Sequence, residues 1–139
     1  MAESLKQRLG NEADVLRAAL VGENKGATII FARSIESEAS SIFSEWAAAY
    51  GIADRVDVPG EDDSKALRVL GGRVDLVKFD IEGAEVDVLQ AASASDLASC
   101  GQLTVEFHDN SQPITRRDVD RLCQRMRSEG YGVVKLALG

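Results

Sequence analysis

The spacing of apolar residues changes along the chain, and each change marks an element. Leu5 and Leu9, with Val15 close to the same line, sit at helical spacing, and Gly10 and Asn11 supply a stop. VLRAALV (15–21) then reads as a buried strand. A turn follows at Gly22, Glu23, Asn24, Lys25 and Gly26, and ATIIFAR (27–33) reads as a second strand, so a hairpin is the economical assignment. Ser34 to Ser41 has loop composition, and IFSEWAAAY (42–50) predicts a turn or two of helix ended by Gly51. VDVP (56–59) predicts a short strand stopped by Pro59 and Gly60, and Ser64 to Leu70 a short helix stopped by Gly71 and Gly72.

Beyond Gly72 the alternation is regular: a strand over 74–80, a helix over about 84–92, a strand over 103–108, a helix near 115–128 closed by Gly130, and a strand over 132–138. Strands alternating with helices of this length imply crossover connections and a parallel α/β sheet, with the strands at Val74 and Leu103 adjacent and central. No internal repeat or low-complexity segment interrupts the pattern.

A chain of 139 residues holds one domain. The apolar share of 45% and charged share of 28% are those of a globular protein. A net charge of −7 repels the phosphate backbone and disfavours a nucleic-acid partner. The one basic stretch, Arg116, Arg117, Arg121, Arg125 and Arg127, is interrupted by Asp118, Asp120 and Glu129 and reads as a solvated helix face. Cys100 and Cys123 are too few for a disulfide framework and lack zinc-site spacing, so both are expected to be free thiols. No run approaches membrane-spanning length and the amino terminus has no secretory pattern, so a cytoplasmic location without a membrane partner is the default expectation.

Chemistry concentrates in VDLVKFDIEGAEVDVLQAA (74–92). An apolar strand runs into Asp80, Glu82, Gly83 and Glu85 and then into a helix with Val86, Leu89 and Ala92 inward. Ligands in open parallel sheets bind at the carboxyl ends of strands, where these acids fall. The plainer alternative is that Asp80 or Glu82 caps the helix, Glu85 complements its dipole, and Gly83 merely permits a tight turn. LTVEFHDN (103–110) is the second such feature. Its Glu106 is a carboxylate that needs a partner, and it ends on His108, the only histidine, followed by Asp109 and Asn110. If the two strands are neighbours, Asp80, Glu82, Glu106 and His108 converge on one edge. Such a cluster suits general acid–base work or the holding of a cation.

The first of these segments resembles the signature of FkbM-type methyltransferases, an Asp, two hydrophobic residues, then Lys-x-Asp-x-Glu-Gly-x-Glu-x-x-Val-Leu, running here from Asp75 to Leu89. LTVEFHD is similar to the family's next strand and GYGVVKL to the one after. Upstream, the similarity extends to Leu5–Asn11, AALVGENKG (18–26) and the serine-rich Ser40–Phe43. The resemblance implies a Rossmann-like class I methyltransferase that moves a methyl group from S-adenosylmethionine to a hydroxyl of a sugar or small molecule. The family's glycine-rich donor loop and the acid for the donor ribose are not found ahead of Leu5. The expectation is therefore a single partial domain over 1–139, its sheet incomplete on the amino-terminal side, that transfers no methyl group by itself.

Three readings follow. In the first, these residues form the acceptor half of an O-methyltransferase, with His108 or Asp80 as base, Glu106 orienting the histidine, and Glu82 and Gly83 lining the substrate. In the second, the chain is a non-catalytic ligand-binding or interaction module, whose exposed sheet edges recruit a second copy. In the third, Asp80, Glu82, Glu106 and His108 hold Mg²⁺ or Mn²⁺. Because acids at loop ends commonly cap helices, the sequence by itself assigns no metal site.

Overall fold

The computed structural model describes residues 2–23, 26–35, 40–49, 51–69, 71–108 and 114–136. Helix α1 (Ala2–Leu9) ends at Gly10, which takes the left-handed φ of +54° that terminates a helix without strain. Three strands follow: β1 (Ala19–Leu20), β2 (Thr28–Ser34) and, after helix α2 (Ser44–Ala49), β3 (Ile52–Glu61). Next come α3 (Asp63–Val69), β4 (Val74–Phe79), α4 (Glu85–Ala91), α5 (Ala94–Ala98), β5 (Cys100–Val105) and α6 (Arg116–Ser128). The architecture is mixed α/β, built on two small sheets in place of the single sheet predicted.

The first sheet corrects the predicted hairpin. Its order is β1-β3-β2, with β2 antiparallel to β3 and β1 parallel to β3, so β1 and β2 do not pair. Strand β3 does not stop at Pro59. Gly60 donates to the Ala27 carbonyl and accepts from Gly26, so its peptide groups face β2. Strand alternation then aims the Pro59 nitrogen away from β2, where the missing N–H costs no ladder bond. The run predicted as a strand over 15–21 shrinks to two residues. Gly22, predicted as a hairpin turn, instead lies so close to α4 that a Cβ there would come 2.3 Å from the Asp87 carbonyl oxygen. Its small core holds Ala19, Val21 and Val58.

The second sheet is the adjacent parallel pair that the sequence predicts, β4 and β5 in register from Val74↔Cys100 to Phe79↔Val105. Glu106 extends the ladder by one bond, from its N–H to the Phe79 carbonyl at 3.0 Å. The larger core lies here, where Val86, Val88 and Leu89 of α4 meet Val119, Leu122 and Met126 of α6. Helix α6 starts at a capping box between Thr115 and Asp118. The predicted helix over 84–92 is followed by an unpredicted second one, α5, which opens on its own capping box between Ser93 and Asp96. The strand expected over 132–138 is not formed within its described part, 132–136, where Val134 and Leu136 are exposed. Both cysteines are free thiols, and burial pushes the Cys100 thiol up. No described helix is long and apolar enough to cross a membrane.

Candidate active site

Residues 80–85 join β4 to α4 by a turn that only a specific sequence tolerates. Glu82 and Gly83 both take left-handed backbone, at φ +52° and +100°. Glycine does so freely, whereas a side-chain-bearing residue does so at a cost that its surroundings must offset. Ser41 supplies part of the offset. It is fully buried, its backbone pairs with Ala32 of β2, and its hydroxyl donates to the Glu82 carbonyl at 2.6 Å while accepting the Phe43 N–H at 3.0 Å. One serine thus links the first sheet to the turn.

Neither Asp80 nor Glu82 caps α4. The N-cap residue is Ala84, which has no side-chain bond to give, and the turn's N–H groups find an acceptor inside the helix instead. Glu85, with a side chain 0% exposed, accepts the N–H groups of Ile81 at 3.1 Å and Gly83 at 3.2 Å on Oε1. The same oxygen lies 3.0 Å from Nδ1 of His108. An oxygen already accepting two N–H donors is an acceptor for the third, which assigns the imidazole proton to Nδ1. The ring's other nitrogen, Nε2, faces Glu82, whose Oε2 is 3.4 Å away.

The predicted convergence is thereby met in three of its four members. Donor atoms of Asp80, Glu82 and His108 lie within 4.8 Å of one another. Glu106 does not join them. It is exposed, and it adds to the negative field around Lys78, whose pKa is raised chiefly by its bond to Asp80. The carboxylate that orients His108 is Glu85, not Glu106: β5 ends at Val105, and the chain past it brings the imidazole to the start of α4. The sequence carried a signal for this, because a helix opening on Ala84 has no ordinary N-cap residue and leaves the turn's donors to the next carboxylate. Lys78 is a peripheral charge that takes Asp80 Oδ2 at 2.7 Å. Gly83 is buried beneath the Phe43 ring. Asp109 and Asn110 lie outside the described residues.

A family model for the methyltransferase FkbM domain matches residues 8–133. The AMB antimetabolite synthetase AmbE of Pseudomonas aeruginosa is 36% identical over 61 residues, 44% of this chain. The chain spans only 3% of that relative's length. No solved structure matches it.

Proposed function

The chain belongs to the FkbM methyltransferase domain family, and from that premise we propose that its β4–β5 edge is the acceptor side of a Rossmann-like, S-adenosylmethionine-dependent O-methyltransferase domain. The observation that carries this reading is the pairing of buried Glu85 with half-buried His108 at the carboxyl end of two parallel strands. A carboxylate on Nδ1 fixes the tautomer, leaving Nε2 as the atom that accepts a proton, and it stabilises the imidazolium formed when the proton arrives. His108 is 15% exposed, reachable from solvent yet held in place. Of the two candidate bases it is therefore the better, because one Asp80 oxygen is committed to Lys78. Glu82 faces Nε2 and Asp80 belongs to the same cluster, so both are placed to hold an acceptor's further hydroxyls by accepting their protons. A polyhydroxylated acceptor, a sugar or another small molecule, suits that set. The similarity to an antimetabolite synthetase supports a small-molecule acceptor.

The described residues do not by themselves fit the methyl donor. Two cavities among the described residues hold about 130 Å³, against Leu20, Leu67, Leu89 and Leu97, and about 220 Å³, beside Val86, Gln90 and Asp118. Both fall short of the roughly 300 Å³ at which small-molecule pockets begin. The glycines near β1 offer no cradle, since Gly22 is packed against α4 and Gly26 stands in open space. The alternative reading, a non-catalytic binding module on the same fold, rests on this shortfall.

Methyl transfer from radiolabelled S-adenosylmethionine to a panel of sugars and small hydroxyl compounds separates the two. It is run on the chain itself and on the chain fused behind the donor-binding strand, glycine loop and helix of another family member. We expect transfer only in the fusion, falling about 10²- to 10⁴-fold in His108→Ala. An unchanged rate in His108→Ala would sink the assignment of the base.

A further inference from the structure

Glutamate is an unusual residue to find at a φ of +52°. A left-handed backbone crowds its Cβ, and its side chain is too long for the local hydrogen bonds by which asparagine and aspartate offset that crowding. Glycine makes such a turn without strain, as Gly83 does next to it. What glutamate adds at 82 is a carboxylate, and Oε2 of that carboxylate stands 3.4 Å from Nε2 of His108. We infer that Ser41, from the first half of the chain, is a positioning residue for this carboxylate: its hydroxyl fixes the Glu82–Gly83 peptide and so sets where Glu82 stands at the candidate acceptor site.

That peptide is held at both ends. The Ser41 hydroxyl donates to its carbonyl at 2.6 Å, and its N–H, that of Gly83, donates to Glu85 Oε1 at 3.2 Å. The same Glu85 oxygen meets Nδ1 of His108 at 3.0 Å. One peptide plane thus lies between a serine beside β2 and the carboxylate that orients the imidazole, and it refers Glu82 and His108 to a common frame. Both clamping side chains are fully buried. With the hydroxyl removed the plane is free to turn, because the residue after it is a glycine, whose missing Cβ opposes no rotation about φ. Ser41 is itself held. Its N–H and carbonyl pair with Ala32 at 3.0 and 2.9 Å, and its hydroxyl oxygen accepts the Phe43 N–H at 3.0 Å, which leaves the hydroxyl proton for the Glu82 carbonyl.

The use made of Glu82, holding an acceptor's hydroxyls beside the base, rests on the acceptor-site reading. The placing of its carboxylate against Nε2 does not. A left-handed glutamate kept where glycine would fold more easily is backbone strain spent on the position of a side chain, and Ser41 is the group that sustains it.

His108 is the only histidine, so in the chain labelled with ¹⁵N-histidine every imidazole nitrogen signal is its own. Long-range proton–nitrogen NMR correlations at fixed pH, with no donor or acceptor present, read Nδ1 and Nε2 separately. Glu82→Gln, which removes the charge facing Nε2, should shift the Nε2 signal. Ser41→Ala should shift it in the same direction and by less, and should leave Nδ1 on Glu85 unmoved. Added to Glu82→Gln, Ser41→Ala should shift Nε2 no further, because the carboxylate it positions is gone. A general loosening of the region would instead move both nitrogens, with the Glu82 carboxylate or without it, and would overturn the inference. An Nε2 signal indifferent to either single variant would overturn it too. Circular dichroism shows whether each variant folds. If Ser41→Ala does not, Ser41→Cys, whose thiol is a weak donor, takes its place. Failure of both to fold would assign the hydroxyl to the fold and not to the carboxylate, which also overturns the inference. None of these results bears on whether His108→Ala lowers transfer in the fusion, which tests the acceptor-site reading separately.

Discussion

The two sheets are unequal partners. Around β4 and β5, twelve described side chains are buried in one apolar cluster with α4, α5 and α6, whereas the apolar cluster of the first sheet holds Ala19, Val21 and Val58, with Ala32 buried apart from it. One face of the parallel pair is covered by helices that turn their apolar stripes to it. The antiparallel pair has one thin apolar face, and each sheet leaves one large apolar side chain on its open face, Ile30 at 57% and Leu76 at 56% exposed. Stability should therefore be concentrated in the half that carries the candidate site, and the other half should behave as a buttress to the turn at Glu82.

The largest expected effect tests that inequality. Leu89 is 2% exposed at the centre of the larger cluster, so Leu89→Ala should cost about 3 kcal/mol in urea unfolding, in the range for buried leucines whose cavity only partly collapses. Val58, 8% exposed in the smaller cluster, loses less area and has looser surroundings, and Val58→Ala should cost about 1 to 2 kcal/mol. Equal costs would mean that the two sheets share one core, and the comparison would collapse.

The same inequality explains what could be read from the sequence. From Val74 to Ser128 the strands are short-range partners joined by crossover helices, and apolar periodicity points to one answer even though the capping box that opens α5 goes unread. Their pairing and the gathering of Asp80, Glu82 and His108 at one edge were accordingly legible. Strand order in the first sheet was not. Nothing local in VLRAALV or ATIIFAR says that β3, arriving after α2, will insert between them, and Pro59 is tolerated only because of which side its nitrogen faces. Two charged residues were misjudged because their partners are distant in sequence. Glu85 is read locally as a dipole complement but serves as the anchor of His108, 23 residues on. Arg125 is read as part of a solvated face, yet it spans 33 to 36 residues to cap the end of α4, donating to the carbonyls of Leu89, Gln90 and Ala92 at 2.6 to 2.7 Å. Arg121, which meets Asp118 one turn back, fits the local reading.

Where the two halves meet, Ser41 is the sharper probe. Its hydroxyl satisfies a carbonyl on one side and an N–H on the other, and both lose their partner in Ser41→Ala. Leaving buried groups unpaired costs about 1 to 2 kcal/mol, more than most polar-to-alanine changes. The loss should also be felt at the left-handed pair, as shifted amide resonances of Glu82 and Gly83 in an NMR spectrum. A neutral substitution with an undisturbed turn would show that the first sheet does not buttress the site.

The smallest effect concerns the other seam, where α3 meets α5. The Ser64 hydroxyl donates to Asp96 Oδ2 at 2.8 Å, and Asp63 lies beside this contact, accepting the Ser64 N–H at 3.0 Å. The two carboxyls are pushed in opposite directions. Burial, and then the charge of Asp96, raise Asp63 above the ordinary aspartate value. The Ser93 hydroxyl, with Ser64 assisting, holds Asp96 below it. A carboxyl raised on folding contributes stability below its unfolded value, near 3.9, and loses it as the pH climbs through the folded value. At pH 7 Asp63 therefore works against the fold, whereas Asp96 supports it until the pH falls through its own depressed value. Asparagine at 63 keeps an oxygen for the Ser64 N–H and removes the charge. Asp63→Asn should accordingly raise stability at pH 7, by no more than about 0.5 kcal/mol at so accessible a site, and the gain should vanish near pH 3, where the wild-type carboxyl is neutral in both states. Urea midpoints at the two pH values give the answer. A variant less stable than wild type at pH 7 would mean that attraction to the amino terminus of α3 outweighs repulsion by Asp96, and that this seam holds the halves together through charge and not in spite of it.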